Sequence, residues 1–245
     1  MKSAKHGKLY GIGVGPGDPK LLTLRAKEIL DQVDVIFCPK GDEGGTSWAR
    51  SIIEATTSAD KEFVELPFPM TRDKNVLKTY WEKAAKRIAE EIAKGKQGAF
   101  ITLGDPFIYS TYIYLLRTLL QNFPDIEVET IPGISAFNAA AARAQIPLAQ
   151  GDERMAILPV RKDLRGLREA FEAFDTVILM KVGSKLDKVM ALLEELDLLK
   201  HSVLVSRIGY PGEKIIHDLS SLEKIEKEGY LSVIIVKIPE RETLA

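Results

Sequence analysis

The stretch from Lys8 to Leu30, KLYGIGVGPGDPKLLTLRAKEIL, constrains the fold more than any other part of the chain. A short apolar run breaks into Gly11, Gly13, Gly15 and Gly17, and residues at helical spacing follow (Leu21, Leu22, Ala26, Ile29, Leu30). Asp18 stands where an N-cap belongs and Pro19 at the first helical position. The carboxylate there can accept from free backbone N–H groups, and proline lacks the N–H that would go unused. The pattern is strand, glycine turn, helix, the opening of a nucleotide-binding α/β domain. A dinucleotide fingerprint nevertheless fails on spacing, because Pro16 and Asp18 occupy the positions where the third glycine would fall. A phosphate loop fails too, for want of a Gly-Lys-Ser/Thr ending. Pro16 removes an amide donor and Asp18 adds a negative charge, both unsuited to cradling phosphate. This stretch alone leaves a plain βα turn and a ligand-bearing loop equally open.

Charge and composition narrow the classes. Across 245 residues, 34 Lys and Arg meet 35 Asp and Glu, which argues against nucleic-acid binding by bulk electrostatics. One cysteine, Cys38, excludes a disulfide framework and cysteine metal clusters, and three scattered histidines make a metal site unexpected. No apolar run approaches the ~18 residues of a membrane span, and the first residues are polar and basic without an apolar signal core. The expectation is a soluble cytoplasmic protein with no membrane partner.

Strands and helices alternate along the first half. Strands are expected over 34–38, 62–66, 99–103 and 128–131. Helices are expected from a Thr46 cap through 55, over 73–93 with an apolar stripe including Val76 and Ile92, and over 110–120 and 136–144. Residues 146–153, IPLAQGDE, carry turn residues without periodicity and read as a linker. Beyond it come strands over 156–160, 176–182, 203–208, 214–219 and 231–238, with helices over 164–174, 185–199 and 221–228. The expected organisation is two α/β domains, 1–145 and 153–245, the second with a mixed sheet.

Three loops share one design: Gly13–Asp18, Gly104–Pro106 and Pro132–Ser135 each follow a buried strand and open a helix. Ligands of open α/β sheets bind outside the carboxyl ends of the strands, so the three loops together point to one concave site. No G-x-S-x-G elbow, H-E-x-x-H motif or Cys/His pair is present. Such a site suits a reaction driven by positioning rather than by an enzyme nucleophile.

These residues resemble the tetrapyrrole (corrin/porphyrin) methylases over nearly the whole chain. The matching pieces are Gly11-Ile-Gly-Val-Gly-Pro-Gly-Asp-Pro with Leu21-Leu22-Thr23, Gly104-Asp105-Pro106-Phe107-Ile108, Pro132-Gly133-Ile134-Ser135-Ala136, and Met180 at a strand end. The resemblance implies a class III methyltransferase, two α/β domains with the cofactor cleft between them, and a homodimer. It implies S-adenosyl-L-methionine as cofactor and S-adenosyl-L-homocysteine as product. Carried over position by position, it puts Pro16, Leu103, Gly104, Asp105, Ile108, Tyr109, Ser135 and Ala136 at the cofactor. Met180, Arg207, Ile208 and Gly209 join them from the second domain, and the glycines make room for the ligand. Asp105 as a second helix cap and Met180 as plain core remain open alternatives.

Within the family, the uroporphyrinogen methylases are similar to one another in an Asp-Arg pair after the second strand. Here that stretch reads Phe37-Cys38-Pro39-Lys40. This ending, with Phe68-Pro69-Met70-Thr71, resembles the branch that methylates carbon 20 of precorrin-2 or its cobalt complex, a step of cobalamin biosynthesis. The resemblance implies direct displacement, the ring carbon attacking the sulfonium methyl, with no catalytic side chain assigned. A tetrapyrrole rich in carboxylates calls for cations. Arg50, Arg72 and Arg207, whose guanidinium can fork onto a carboxylate, lead Lys40, Lys181 and Lys185. Other readings are another corrin-ring methylase, diphthine synthase, a non-catalytic protein that binds the S-adenosyl ligand, and a nicotinamide oxidoreductase, which the glycine spacing disfavours.

Overall fold

In the computed structural model, residues 7–41, 47–54, 56–57, 61–69, 71, 73–222 and 231–239 are described. Thr46, Arg72 and nearly all of the helix expected over 221–228 fall outside them. Contacts divide the chain into two units, 1–135 and 136–245.

The first unit is built on β1 (Lys8–Gly13), β2 (Val35–Lys40), β3 (Glu62–Pro67), β4 (Gln97–Thr102) and β5 (Glu127–Ile131). Their order is β3-β2-β4-β1-β5, and every pairing is parallel. The buried apolar runs of β1, β2 and β4 suit a sheet covered on both faces. The helices are α1 (Leu24–Gln32), α2 (Trp48–Glu54), α3 (Lys74–Ile92) and α4 (Tyr112–Asn122). Because all five strands run the same way, the loops after β4, β1 and β5 lie side by side at one edge.

The helix expected from Asp18 is divided. Asp18 caps only a 3-10 turn, Pro19–Leu21, its Oδ1 accepting from Lys20 N at 2.9 Å. Leu22 and Thr23 are extended, and the Thr23 hydroxyl then caps α1 through Ala26 N at 3.1 Å. Asp73 caps α3, accepting from Asn75 N and Val76 N. The apolar stripe of α3, however, is buried only from Ala84 onward, and Val76 is 40% exposed.

The far end of α3 is fastened by charge. Glu91, 2% exposed, receives Arg87 at 2.6 Å and Lys94 at 2.8 Å on Oε1. The Lys96 ammonium lies 2.9 Å from Oε2 but outside hydrogen-bonding alignment, and it also pairs with Glu62 of β3 at 2.7 Å. Lys94 first and then Lys96 hold the Glu91 carboxyl down at about 2. A depressed carboxylate contributes stability above its ordinary pKa and loses it as pH falls through the folded value. Glu91→Gln is therefore expected to cost about 2 kcal/mol at pH 7. In urea unfolding its gap from the native chain should close between about pH 4.5 and 2. A gap that persists at pH 2 would assign the loss to packing.

The second unit holds α5 (Ala136–Ala144), β6 (Met155–Pro159), α6 (Leu167–Ala173), β7 (Thr176–Met180), α7 (Leu186–Glu195), β8 (Ser202–Ser206), β9 (Lys214–Ile216) and β10 (Ser232–Lys237). The order is β6-β7-β10-β8-β9. β6 and β7 are parallel, the other pairs antiparallel, so the sheet is mixed. α5 packs on β8 and β10 and belongs with this unit, whereas the linker reading left it in the first. The segment read as a linker is tied here as well, Glu153 pairing with Lys237 of β10 at 2.9 Å.

Candidate active site

The three glycine-bearing loops of the first unit meet through their backbones. Val14 N donates to Thr102 O at 2.9 Å. Gly15 and Gly104 exchange a pair of bonds, Gly104 N to Gly15 O at 2.8 Å and the reverse at 3.3 Å. Both have positive φ, 79° and 66°, which favours glycine. The approach is closest at the third loop. A Cβ on Gly133 would stand 2.3 Å from Gly104 O and 2.7 Å from Gly13 C, and one on Gly13 would stand 2.5 Å from Gly104 O. The space at Gly13 and Gly133 is thus filled by neighbouring backbone, although at Gly13 the sequence suggested room for a ligand.

Asp105 locks this arrangement. Its Oδ1 accepts from Phe107 N at 2.9 Å, and its Oδ2 accepts from Gly133 N at 3.1 Å. One carboxylate shapes its own loop and ties it to the loop after β5. Where the loop returns from β4 to α4, the buried hydroxyls of Thr102 and Ser110 meet at 2.8 Å, and Ser110 Oγ accepts from Tyr112 N at 3.1 Å. Between them Tyr109 takes a left-handed backbone, φ 52°, and burial raises the pKa of its phenol. Such strain gathers where surroundings over-determine the backbone, functional loops above all.

The amides of Gly15, Gly104, Phe107 and Gly133 are all engaged within the loops, and Pro16, buried, has none to give. These four amides are therefore not free to cradle a phosphate, which agrees with the failed fingerprint. Leu103 and Ile108 are half-buried beside these anchors, and Ser135 is buried at the end of the third loop.

In the second unit, β7 and β8 each pair antiparallel with β10, so both end at the same edge of the sheet. Met180, half-buried, closes β7 and is followed by Lys181 at φ 56°. Arg207, at φ 51°, follows β8, its N–H donating to Leu231 O at 3.0 Å. Ile208 is buried, while Gly209 N donates to Glu213 Oε2 at 2.6 Å. Glu213 also faces Arg143 of α5 at 3.5 Å, a tether that sequence reading had no means to find. Ala136 begins α5 in this unit.

Two of the candidate substrate cations, Lys40 and Arg50, are already partnered. Lys40 meets Glu65 Oε2 at 2.7 Å. Arg50 meets Glu54 at 2.7 Å and Glu65 Oε1 at 3.7 Å, with its guanidinium 4.5 Å from the Phe63 ring centre. Cys38 close by is pushed up to about 12, chiefly by burial, and so is a thiol rather than a thiolate.

A family model described as tetrapyrrole (corrin/porphyrin) methylases matches residues 8–223. The probable cobalt-precorrin-2 C(20)-methyltransferase of Methanocaldococcus jannaschii is 40% identical over 94% of this chain and 96% of its own length. The cobalt-precorrin-2 C(20)-methyltransferase of Salmonella typhimurium is 34% identical with the same coverage. Among solved structures, a cobalt precorrin-4 methyltransferase matches 97% of both chains at TM-score 0.72 and 23% identity. A uroporphyrin-III C-methyltransferase from Thermus thermophilus, complexed with S-adenosyl homocysteine, matches 94% of this chain and 92% of its own at TM-score 0.67 and 19% identity.

Proposed function

Because the chain belongs to the tetrapyrrole (corrin/porphyrin) methylases, we propose that it methylates carbon 20 of precorrin-2 or its cobalt complex, using S-adenosylmethionine. The observation that carries this reading is 40% identity to a probable C(20)-methyltransferase over almost the full length of both chains. The engagement of the Gly15, Gly104, Phe107 and Gly133 amides within the loops is consistent with a cofactor that lacks phosphate. S-adenosylmethionine supplies an electrophilic methyl carbon, and the substrate ring supplies the nucleophile. The residues of this chain then have to bind, orient and exclude water, and correct placement alone can remove several kcal/mol of a barrier, up to about 7–11. The loops after β1, β4 and β5, with Met180 and the Arg207–Gly209 turn, are the residues proposed to hold the cofactor. A cytoplasmic homodimer belongs to the same reading, carried by the family resemblance. The test is incubation with precorrin-2, and separately its cobalt form, and methyl-labelled S-adenosylmethionine. Mass spectrometry should show one added methyl and NMR should place it on carbon 20; a methyl elsewhere defeats the assignment.

The ion pairs of Glu65 bear on the substrate. If Lys40 and Arg50 receive ring carboxylates, Glu65 competes for both. Glu65→Gln should then lower the tetrapyrrole KM about threefold at low salt, leave kcat unchanged, and lose the effect as added salt screens these half-exposed charges. A KM that rises instead would make Glu65 their organiser.

A further inference from the structure

We propose that Phe107 is a substrate-binding residue, its exposed ring lying against the conjugated macrocycle of the tetrapyrrole; this rests on the methyl-transfer reading above. Phe107 follows Asp105 in the loop between β4 and α4 and is 54% exposed. Single exposed apolar side chains are common, Leu24 on α1 at 84% exposed being one. Phe107 is held in place. Its N–H is bound by Asp105 Oδ1 at 2.9 Å, and the same carboxylate is anchored to Gly133. Its ring leans on that of Tyr112, centroids 5.9 Å apart and planes at 58°. Tyr112 is itself immobilised, 1% exposed and hydrogen-bonded to Thr130 at 2.7 Å. Two residues beyond Phe107, the left-handed Tyr109 and the Thr102–Ser110 pair close the loop.

A side chain with no polar group, seated on one side and open on the other, carries apolar area that folding leaves unburied. Pre-organised aromatic rings of this kind lose little entropy on binding and reward a flat, apolar partner. Of the two small molecules this site is proposed to take, the tetrapyrrole has the larger planar surface. The adenine of the cofactor is the competing occupant, so the experiment must separate them.

Phe107→Ala, Phe107→Leu and Phe107→Tyr are compared with the native chain in steady-state methylation of precorrin-2 and in calorimetric binding of S-adenosylhomocysteine. Phe107→Ala should raise the tetrapyrrole KM about tenfold, in the range of an aromatic contact residue. Phe107→Leu should fall between, Phe107→Tyr should stay near native, and S-adenosylhomocysteine affinity should change less than about twofold throughout. An unchanged KM overturns the proposal. A matching loss of S-adenosylhomocysteine affinity also overturns it, assigning the ring to adenine. Thermal unfolding of each variant separates a lost contact from a lost fold, and Phe107→Tyr keeps the test valid if Phe107→Ala unfolds. If the native chain turns over no precorrin-2, the methyl-transfer reading fails by itself. Binding is then read from the tetrapyrrole absorbance shift: weaker binding by Phe107→Ala sustains the contact, and no binding by the native chain removes it.

Discussion

Gly133→Ala is expected to reduce methyl transfer by at least about a hundredfold and to lower stability in urea unfolding by roughly 3 kcal/mol, the upper part of the range for overpacking. The added methyl would stand 2.3 Å from Gly104 O and 2.7 Å from Gly13 C. Neither neighbour is the end of a flexible side chain. Both are backbone, and Gly104 is held by its paired bonds to Gly15. Relief requires the loop after β5 to move away from the loops after β1 and β4, taking the Asp105–Gly133 bond with it. Gly13→Ala meets the same wall from the other side, and its cost should not add to that of Gly133→Ala, because one displacement relieves both. Gly41→Ala is the control: among the described residues nothing lies within 4 Å of its added carbon, and it should be nearly silent. Native-like activity in Gly133→Ala would mean that the three loops are free to separate without consequence.

Asp105→Ala should cost less stability and nearly as much activity. The substitution strands the amides of Phe107 and Gly133, each bound now by a carboxylate oxygen. Hydrogen bonds to a charged acceptor contribute about 1.5–3 kcal/mol each. Partial exposure of Asp105 lets water replace some of that, so an unfolding loss of about 1–2 kcal/mol is expected. The larger effect is on kcat/KM, a fall of about a hundredfold, because the loop then samples conformations in which its residues are misplaced. Asp105→Asn keeps one acceptor oxygen and should fall between the two, near tenfold. If the carboxylate served mainly to attract a cationic ligand, Asn and Ala would be equally poor. A graded series supports the fastening role, and equal variants defeat it.

The sequence discloses most of the fold because its signals are local. α5 spans Ala136–Ala144 as read from its alanine run, and the strands differ from expectation chiefly at their ends, where burial gives way to turns. The start of α1 was hidden by two good caps in a row: Asp18 and Thr23 each end an extended segment, and only the backbone reveals that each serves its own helix. Long-range features were beyond reach. Nothing near Glu65 announces that it clasps Lys40 and Arg50, and nothing in the α5 sequence reveals that it packs on β8 and β10, strands of the second sheet. At the site, the motifs marked the loops but misjudged Gly13, because spacing cannot distinguish a cavity from the close approach of another loop.

The placing of β1 in the sheet sets a schedule for biosynthesis. Its residues pair on one side with β4 and on the other with β5, Lys8 lying opposite Gln97 and Glu127. A ribosome adding about 5–20 residues per second needs on the order of ten seconds to bring the second of these partners out after the first strand has emerged. Until β4 emerges, an apolar strand with two open hydrogen-bonding edges is present in the nascent chain, and one edge stays open until β5 follows, the condition under which strands pair with the wrong neighbour. Nascent chains ending before residue 127 should accordingly bind holdase chaperones more strongly than chains carrying β5.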